Sequence, residues 1–222
     1  MSAPRRIKIP AGALVGVIAS ADEMGSARRM RSPPDFFELR LDHLPHVQES
    51  ELSKLRRPFI ITARHPAEGG KQLRVNRANL LQKFLPHAAF VDVELRSLRE
   101  LQDVWGEARR LRVHRICSFH DFKRTPDCSV LNKKMARARE SGADVFKVVC
   151  RADNPLDLLT LFEFLETGLS AMRLCVMATG RFGPISRLLF RERGSSFIYA
   201  PLRRVLYDGQ LSVGELRRQR DF

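Results

Sequence analysis

The stretch "ADVFKVVCRADNPLDLLTLFEFLE" (residues 143–166) carries two periodicities in one unit. Val145, Phe146, Val148 and Val149 form a short apolar run around Lys147, the pattern of a buried strand. Asn154-Pro155 then sets a capping residue before a proline, the signature of a helix start. Leu158, Leu161, Phe162 and Leu165 follow at helical spacing. A strand that runs into an amphipathic helix is one βα unit.

The same unit repeats along the chain. Seven further apolar runs read as strands: "ALVGVIA" (13–19), "FFELRL" (36–41), "PFIITA" (58–63), "AFVDVEL" (89–95), "VHRICSF" (113–119), "MRLCVMA" (172–178) and "SSFIYA" (195–200). Helical stripes lie between them at 76–85 and 97–111, and Thr125-Pro126 marks another helix start. Gly142 and Gly168 fall where left-handed helix stops are expected. Strict alternation of strand and helix implies a parallel sheet. Eight units imply an α/β fold of the (β/α)8 type, a TIM barrel. With no linker or break in composition, residues 1–222 are expected to form one compact domain, with 1–12 and 217–222 as loose ends.

Composition narrows the function classes. The chain has 222 residues, 44% of them apolar, enough for a full core. No apolar run reaches the length of a membrane span and no signal peptide is read, so a cytoplasmic protein without a membrane partner is expected. The four cysteines lack CxxC spacing and read as free thiols. The six histidines form no HxH or HExxH pattern, so no metal site is expected. Net charge is +14, but the basic residues are dispersed and no nucleic-acid-binding motif occurs. An arginine-rich surface and a small anionic substrate fit this better than a nucleic-acid partner.

Alternate strand residues face the inside of a barrel, and catalytic groups belong at the C-terminal strand ends. By that parity Glu38, Arg40 and Asp42 share a face; so do Thr62 and Arg64, Asp92 and Glu94, Ser118 and His120, and Val145, Lys147 and Val149. Five consecutive strands thus send charged or titratable groups toward one mouth. An internal layer of ion pairs is the plain reading, and Asp42, Asp92 and Glu94 fit it. A lone lysine and a histidine among them point instead to an active site. A desolvated lysine can offer a neutral amine to a ketone and form a Schiff base. His120 is the candidate general base, and Glu68, in the loop after the third strand, the carboxylate that orients it. Cys117 lies three residues from His120, on the opposite strand face, and is set aside as a nucleophile. The other histidines read as loop or surface residues. "TGRFGPISR" (179–187) reads as an anion site: two glycines loosen the backbone, Pro184 opens a helix, and Arg187 lies in its first turn. "DGQL" (208–211) places Gln210 where a lid closes.

Taken in order, "ELRLDHL", "TARHPAEGG", "VDVEL", "SFHDFKRTP", "GADVFKVV", "GPISR" and "DGQ" resemble the motifs of the type I 3-dehydroquinate dehydratases, Schiff-base enzymes of the shikimate pathway in aromatic amino acid biosynthesis. The resemblance runs from about Val15 to Leu216. It implies a lyase in which Lys147 forms an imine with the C3 ketone of 3-dehydroquinate. His120, supported by Glu68, would remove the C2 proton and help the C1 hydroxyl leave, giving 3-dehydroshikimate. Arg187 would bind the substrate carboxylate; Glu38, Arg40, Arg64 and Gln210 would hold the ring hydroxyls; Met177 and Tyr199 would wall the ring. The substrate would be a polyhydroxylated cyclic keto acid, with no cofactor, and such chains often form homodimers.

Three positions depart from the resembled pattern. Leu206 stands in place of a serine, Asp208 in place of a proline, and Val17 in place of a polar residue on the first strand. Tyr199 replaces the more frequent phenylalanine. Two other readings stay open at this point: an aldolase-type Schiff-base barrel acting on a phosphorylated sugar, and a catalytically impaired basic binding protein on the same fold.

Overall fold

The computed structural model describes residues 7–72, 76–203, 205 and 207–219. Eight parallel strands are present: β1 (Ala13–Ile18), β2 (Phe36–Arg40), β3 (Phe59–Thr62), β4 (Phe90–Glu94), β5 (His114–Asp121), β6 (Val145–Arg151), β7 (Arg173–Thr179) and β8 (Phe197–Pro201). They form one sheet in the order β7-β6-β5-β4-β3-β2-β1-β8. This is a nearly closed (β/α)8 barrel. Its seam lies between β7 and β8. There Ser196 N–H donates to Leu174 O at 2.8 Å, and Tyr199 N–H turns to Met177 Sδ at 3.4 Å.

Helices α1 (Ala21–Arg29), α2 (Glu49–Leu52), α3 (Arg77–Phe84), α4 (Gln102–Arg110), α5 (Cys128–Glu140), α6 (Pro155–Gly168), α7 (Gly183–Glu192) and α8 (Val213–Arg218) cover the outside. Local chemistry sets their ends. Asn154 Oδ1 accepts from Asp157 N–H at 3.0 Å, and Asp157 Oδ2 accepts from Asn154 N–H at 3.2 Å, a reciprocal capping box on α6. Gly142 ends α5 with φ of +77°, as its place in the sequence requires.

Several local expectations are corrected. Helix α5 starts at Cys128 rather than at Thr125-Pro126, because Thr125 Oγ1 donates to Arg151 O at 2.8 Å and is drawn away from capping. Gly168 is the last residue of α6, not a left-handed stop. A Cβ there would lie 2.7 Å from Leu174 Cδ1, so its value is close packing of helix on strand. The stripe at 97–111 becomes regular helix only from Gln102. Residues 7–12 are not a loose end: Ile9 is buried in the inner cluster, and Ile7 O pairs with His114 Nε2 at 2.7 Å. They plug the bottom of the barrel, and His114, expected at the surface, is buried against them and stacked on Phe90. Arg217 and Arg218 belong to α8 rather than to a loose tail; residues 220–222 lie outside the described ones.

Side-chain parity divides the interior into two shells. Outward residues such as Phe37, Leu39, Ile61, Val91, Val93, Phe146 and Val148 pack beneath the helices. Inward residues fill the barrel, where Phe36, Phe90 and Phe197 meet edge to face with centroids 5.4–5.7 Å apart. This apolar floor forces the inward polar side chains into the upper half. Phe90→Ala therefore lowers the unfolding free energy by about 3–5 kcal/mol in urea titration; a loss under about 1 kcal/mol would show that the floor does not hold the barrel together.

Candidate active site

Above that floor the inward positions turn polar, and Asp92 is the node that ties them. Arg64 grips it with two parallel bonds, Nη1 to Oδ1 and Nη2 to Oδ2, each 2.9 Å. Ser118 Oγ donates to Oδ1 at 2.6 Å, and Lys147 Nζ donates to Oδ2 at 2.9 Å. Burial works to raise the Asp92 carboxyl, but the Arg64 and Lys147 cations overcome it and hold the group well below the usual carboxylate range. Glu94 is held low in the same way, against its burial, by Arg64 and Arg77.

Lys147 also lies 3.6 Å from Glu38 Oε1 and 3.8 Å above the Tyr199 ring. Two carboxylates and a π face surround the amine. Its neighbours in the apolar run, Phe146 and Val148, point out toward the helices. Glu38 Oε1 in turn accepts from Thr62 Oγ1 at 2.8 Å.

The end of β5 brings His120 to Glu68, which closes a short 3-10 turn, Pro66–Glu68. Glu68 Oε2 accepts from His120 N–H at 3.0 Å and faces Nδ1 at 2.9 Å. Burial, with the Arg64 and Lys147 cations behind it, pushes the imidazole well below its usual range. Burial also pushes Glu68 up to about 7. A neutral ring with Nδ1–H turned to Glu68 leaves Nε2 as the free base.

Arg187 is the fifth residue of α7, one residue past the expected first turn, and is buried. Its guanidinium donates to the carbonyls of Ala178, Gly183, Gly209 and Tyr199 at 2.7–3.3 Å. No acidic side chain among the described residues pairs with it, and burial pushes it down to about 10. The expected backbone contribution to an anion site is corrected. The N–H groups of Gly180, Arg181, Phe182 and Gly183 already donate to Asp208 O, Asp153 Oδ1, Ala152 O and Gly180 O. The glycines serve close approach instead: a Cβ on Gly183 would lie 2.4 Å from Gly209 O, the oxygen that reaches Arg187.

All ten candidate residues line one cleft at this mouth, together with Val17, Phe122, Val149, Thr179 and Tyr207. Arg40 is fixed by two bonds to Asp42 at 2.8 and 3.0 Å. Arg64 differs from expectation, since Nη1 and Nη2 are committed to Asp92, Glu94 and Ser118 rather than left for a ligand. Tyr207 is a residue the sequence reading missed. Its hydroxyl donates to Gly69 O at 2.7 Å, its ring stacks on Phe122 at 4.5 Å, and Phe122 stacks on His120. Its N–H holds Gln210 Oε1 at 3.1 Å. An aromatic three residues before Gln210 was the available signal. Val17 faces the cleft as an apolar residue, Asp208 lies 3.8 Å from Arg151, and Leu206 falls outside the described residues. No group of three or more His, Cys, Asp or Glu among the described residues comes together to hold a metal ion.

Comparison with known proteins shows a family and a fold. Residues 17–222 match the family model for type I 3-dehydroquinase. The 3-dehydroquinate dehydratase of Thermococcus gammatolerans is 31% identical over 213 residues, which cover 92% of this chain and 96% of the relative. The structure of 3-dehydroquinate dehydratase from Geobacillus kaustophilus superposes with a TM-score of 0.83 at 25% identity, covering 97% of this chain and 95% of that one. The type I enzyme from Clostridium difficile, solved with covalently modified comenic acid, gives a TM-score of 0.85 at 24% identity over 98% of this chain and 96% of that one, a likeness of fold.

The charge layer sets how the fold responds to acid. Asp42, Asp92 and Glu94 all lose their protons at lower pH when folded than when unfolded. Their pairing therefore contributes stability above about pH 4 and loses it as pH falls through the lower folded values. The urea midpoint should fall steeply below about pH 4 in the native chain and less steeply in Asp92→Asn. A native midpoint that stays constant from neutral pH to about pH 2.5 would contradict this.

Proposed function

The chain belongs to the type I 3-dehydroquinases, and on that premise we propose how its side chains divide the work of the reaction. The reaction is that of a hydro-lyase: water is removed from 3-dehydroquinate to give 3-dehydroshikimate through a lysine Schiff base. The observation that carries the residue assignment is the meeting, in one cleft, of the Asp92-held Lys147 amine and the neutral His120 ring beside Glu68.

With its ammonium proton passed to His120, Lys147 Nζ attacks the ketone carbon, and the carbonyl oxygen leaves as water as the imine forms. The protonated imine draws electrons from the adjacent carbon, so its proton becomes removable. His120 Nε2 takes that proton, and Glu68 stabilises the imidazolium through Nδ1–H. The imidazolium then returns the proton to the C1 hydroxyl, which departs as water, and hydrolysis frees the product. Arg187 is a buried cation without a counter-charge among the described residues, which suits it to the substrate carboxylate. Glu38, Arg40 and Gln210 face the ring hydroxyls, with Met177 and Tyr199 as walls. Arg64 is reassigned: it fixes Asp92, and through Asp92 the amine.

We further propose that the chain works in the cytoplasm and that two copies pair. No helix among the described residues is long and apolar enough to cross a membrane. Adjacent helices α6 and α7 expose Leu156, Leu159, Ile185 and Leu189, a face that pairing would cover. Sedimentation should give a dimer mass for the native chain and a monomer for Leu156→Glu/Leu159→Glu; a native monomer at micromolar concentration would sink that assignment.

Turnover is followed by the absorbance of the conjugated product. Lys147→Ala should give none, and His120→Ala should fall by ~10²-fold or more. Protonation of Glu68 reverses the tautomer of His120, so kcat/KM should climb with pH through about 7 and level off above it, a climb that Glu68→Gln removes. Near-native turnover in His120→Ala would exclude it as the base.

A further inference from the structure

Tyr199 Oη is buried and has no hydrogen-bond partner among the described residues. Its neighbours in the cleft are differently placed. Thr62 Oγ1 is spent on Glu38, Ser118 Oγ on Asp92, and Tyr207 Oη on Gly69 O, all at 2.6–2.8 Å. Thr179 Oγ1 reaches Cys150 O at 3.5 Å. Among the described hydroxyls of this mouth, Tyr199 is the unspent donor. An unpaired buried hydroxyl costs free energy that a phenylalanine in the same space would avoid. The group is therefore kept for a partner that arrives with the ligand.

Its position says which partner. Tyr199 lies on the inner face of β8, in register with Val15 of β1. Its ring lies 3.8 Å under Lys147 Nζ, so the hydroxyl is one ring's reach from the reacting nitrogen. Burial, and next the Glu38 charge, push the phenol well above its usual range. The proton stays on, and the group acts as a donor rather than a base.

We propose that the Tyr199 hydroxyl donates a hydrogen bond to the oxygen on the carbon that Lys147 attacks, and holds that oxygen as the carbonyl becomes a carbinolamine. This rests on Lys147 being the imine-forming residue. As nitrogen adds, the oxygen gains negative charge, and a fixed donor in a dry site favours that state over the ground state. Tyr199 is then a catalytic residue for the first step, beyond its ring serving as a wall.

The test is Tyr199→Phe, which keeps the ring and removes one atom. Imine formation is read by rapid borohydride trapping with 3-dehydroquinate, alongside steady-state turnover and thermal melting of the free protein. The trapping rate and kcat should fall about tenfold or more, with KM little changed. The melting temperature should rise by about 2–4 °C, because the unpaired hydroxyl is gone. A trapping rate equal to the native one, with the native adduct forming, overturns the role of Tyr199 and leaves Lys147 in place. A melting temperature below the native one overturns it as well, since the hydroxyl would then be satisfied in the free protein. Failure of the native chain to form any adduct overturns the Lys147 reading and the Tyr199 role with it.

Discussion

Two oxygens of one carboxylate set the geometry of this barrel's mouth. Asp92 receives Arg64, Ser118 and Lys147 together, so β4, β5, β6 and the segment just past β3 are tied at one point. Burying a carboxylate alone would be costly; burying it with two cations and a hydroxyl keeps it charged. Neighbouring charges join the same node. Arg64 shares itself with Glu94, and Lys147 leans toward Glu38. Burial, with the fields of Arg64 and Lys147 behind it, keeps His120 uncharged. The groups that hold the amine in place thus also help to hold the base neutral.

The mouth is also sealed by backbone. Gly209 presses on Gly180 and Gly183, and its carbonyl reaches Arg187. On the other side Tyr207 reaches Gly69, where a Cβ would lie 2.5 Å from its hydroxyl. The loop after β8 is thereby tied both to the segment that carries Arg187 and to the one that carries Glu68. Carbonyl oxygens partly neutralise Arg187 and leave its positive charge for an anion. The net charge of +14 has a local counterpart here, in a cation buried without an acid among the described residues.

Much of this was legible because strands repeat every two residues. Parity alone aimed Glu38, Arg40, Arg64, His120 and Lys147 at one mouth, and the eight-fold alternation set the barrel. What parity cannot show is which inward charge is the hub; Asp92 reads in the sequence like any acid on a strand. Nor does a glycine-rich loop reveal where its N–H groups go, so "TGRFGP" read as an anion cradle while its donors were already spent. Thr125 resembled a helix cap until a distant carbonyl claimed its hydroxyl. Ile7–Gly12 looked loose because a plug is defined by the cavity it fills. Tyr207 was missed because its meaning depends on Gly69 and Phe122, both more than 80 residues away.

The central claim is that the Asp92-held amine of Lys147 is the nucleophile. It is tested most directly by reducing a mixture of the protein and 3-dehydroquinate with borohydride and mapping the adduct by peptide mass spectrometry. A single adduct on the peptide carrying Lys147, absent in Lys147→Ala, is the predicted result. An unmodified native chain, or an adduct on any other lysine, would contradict it.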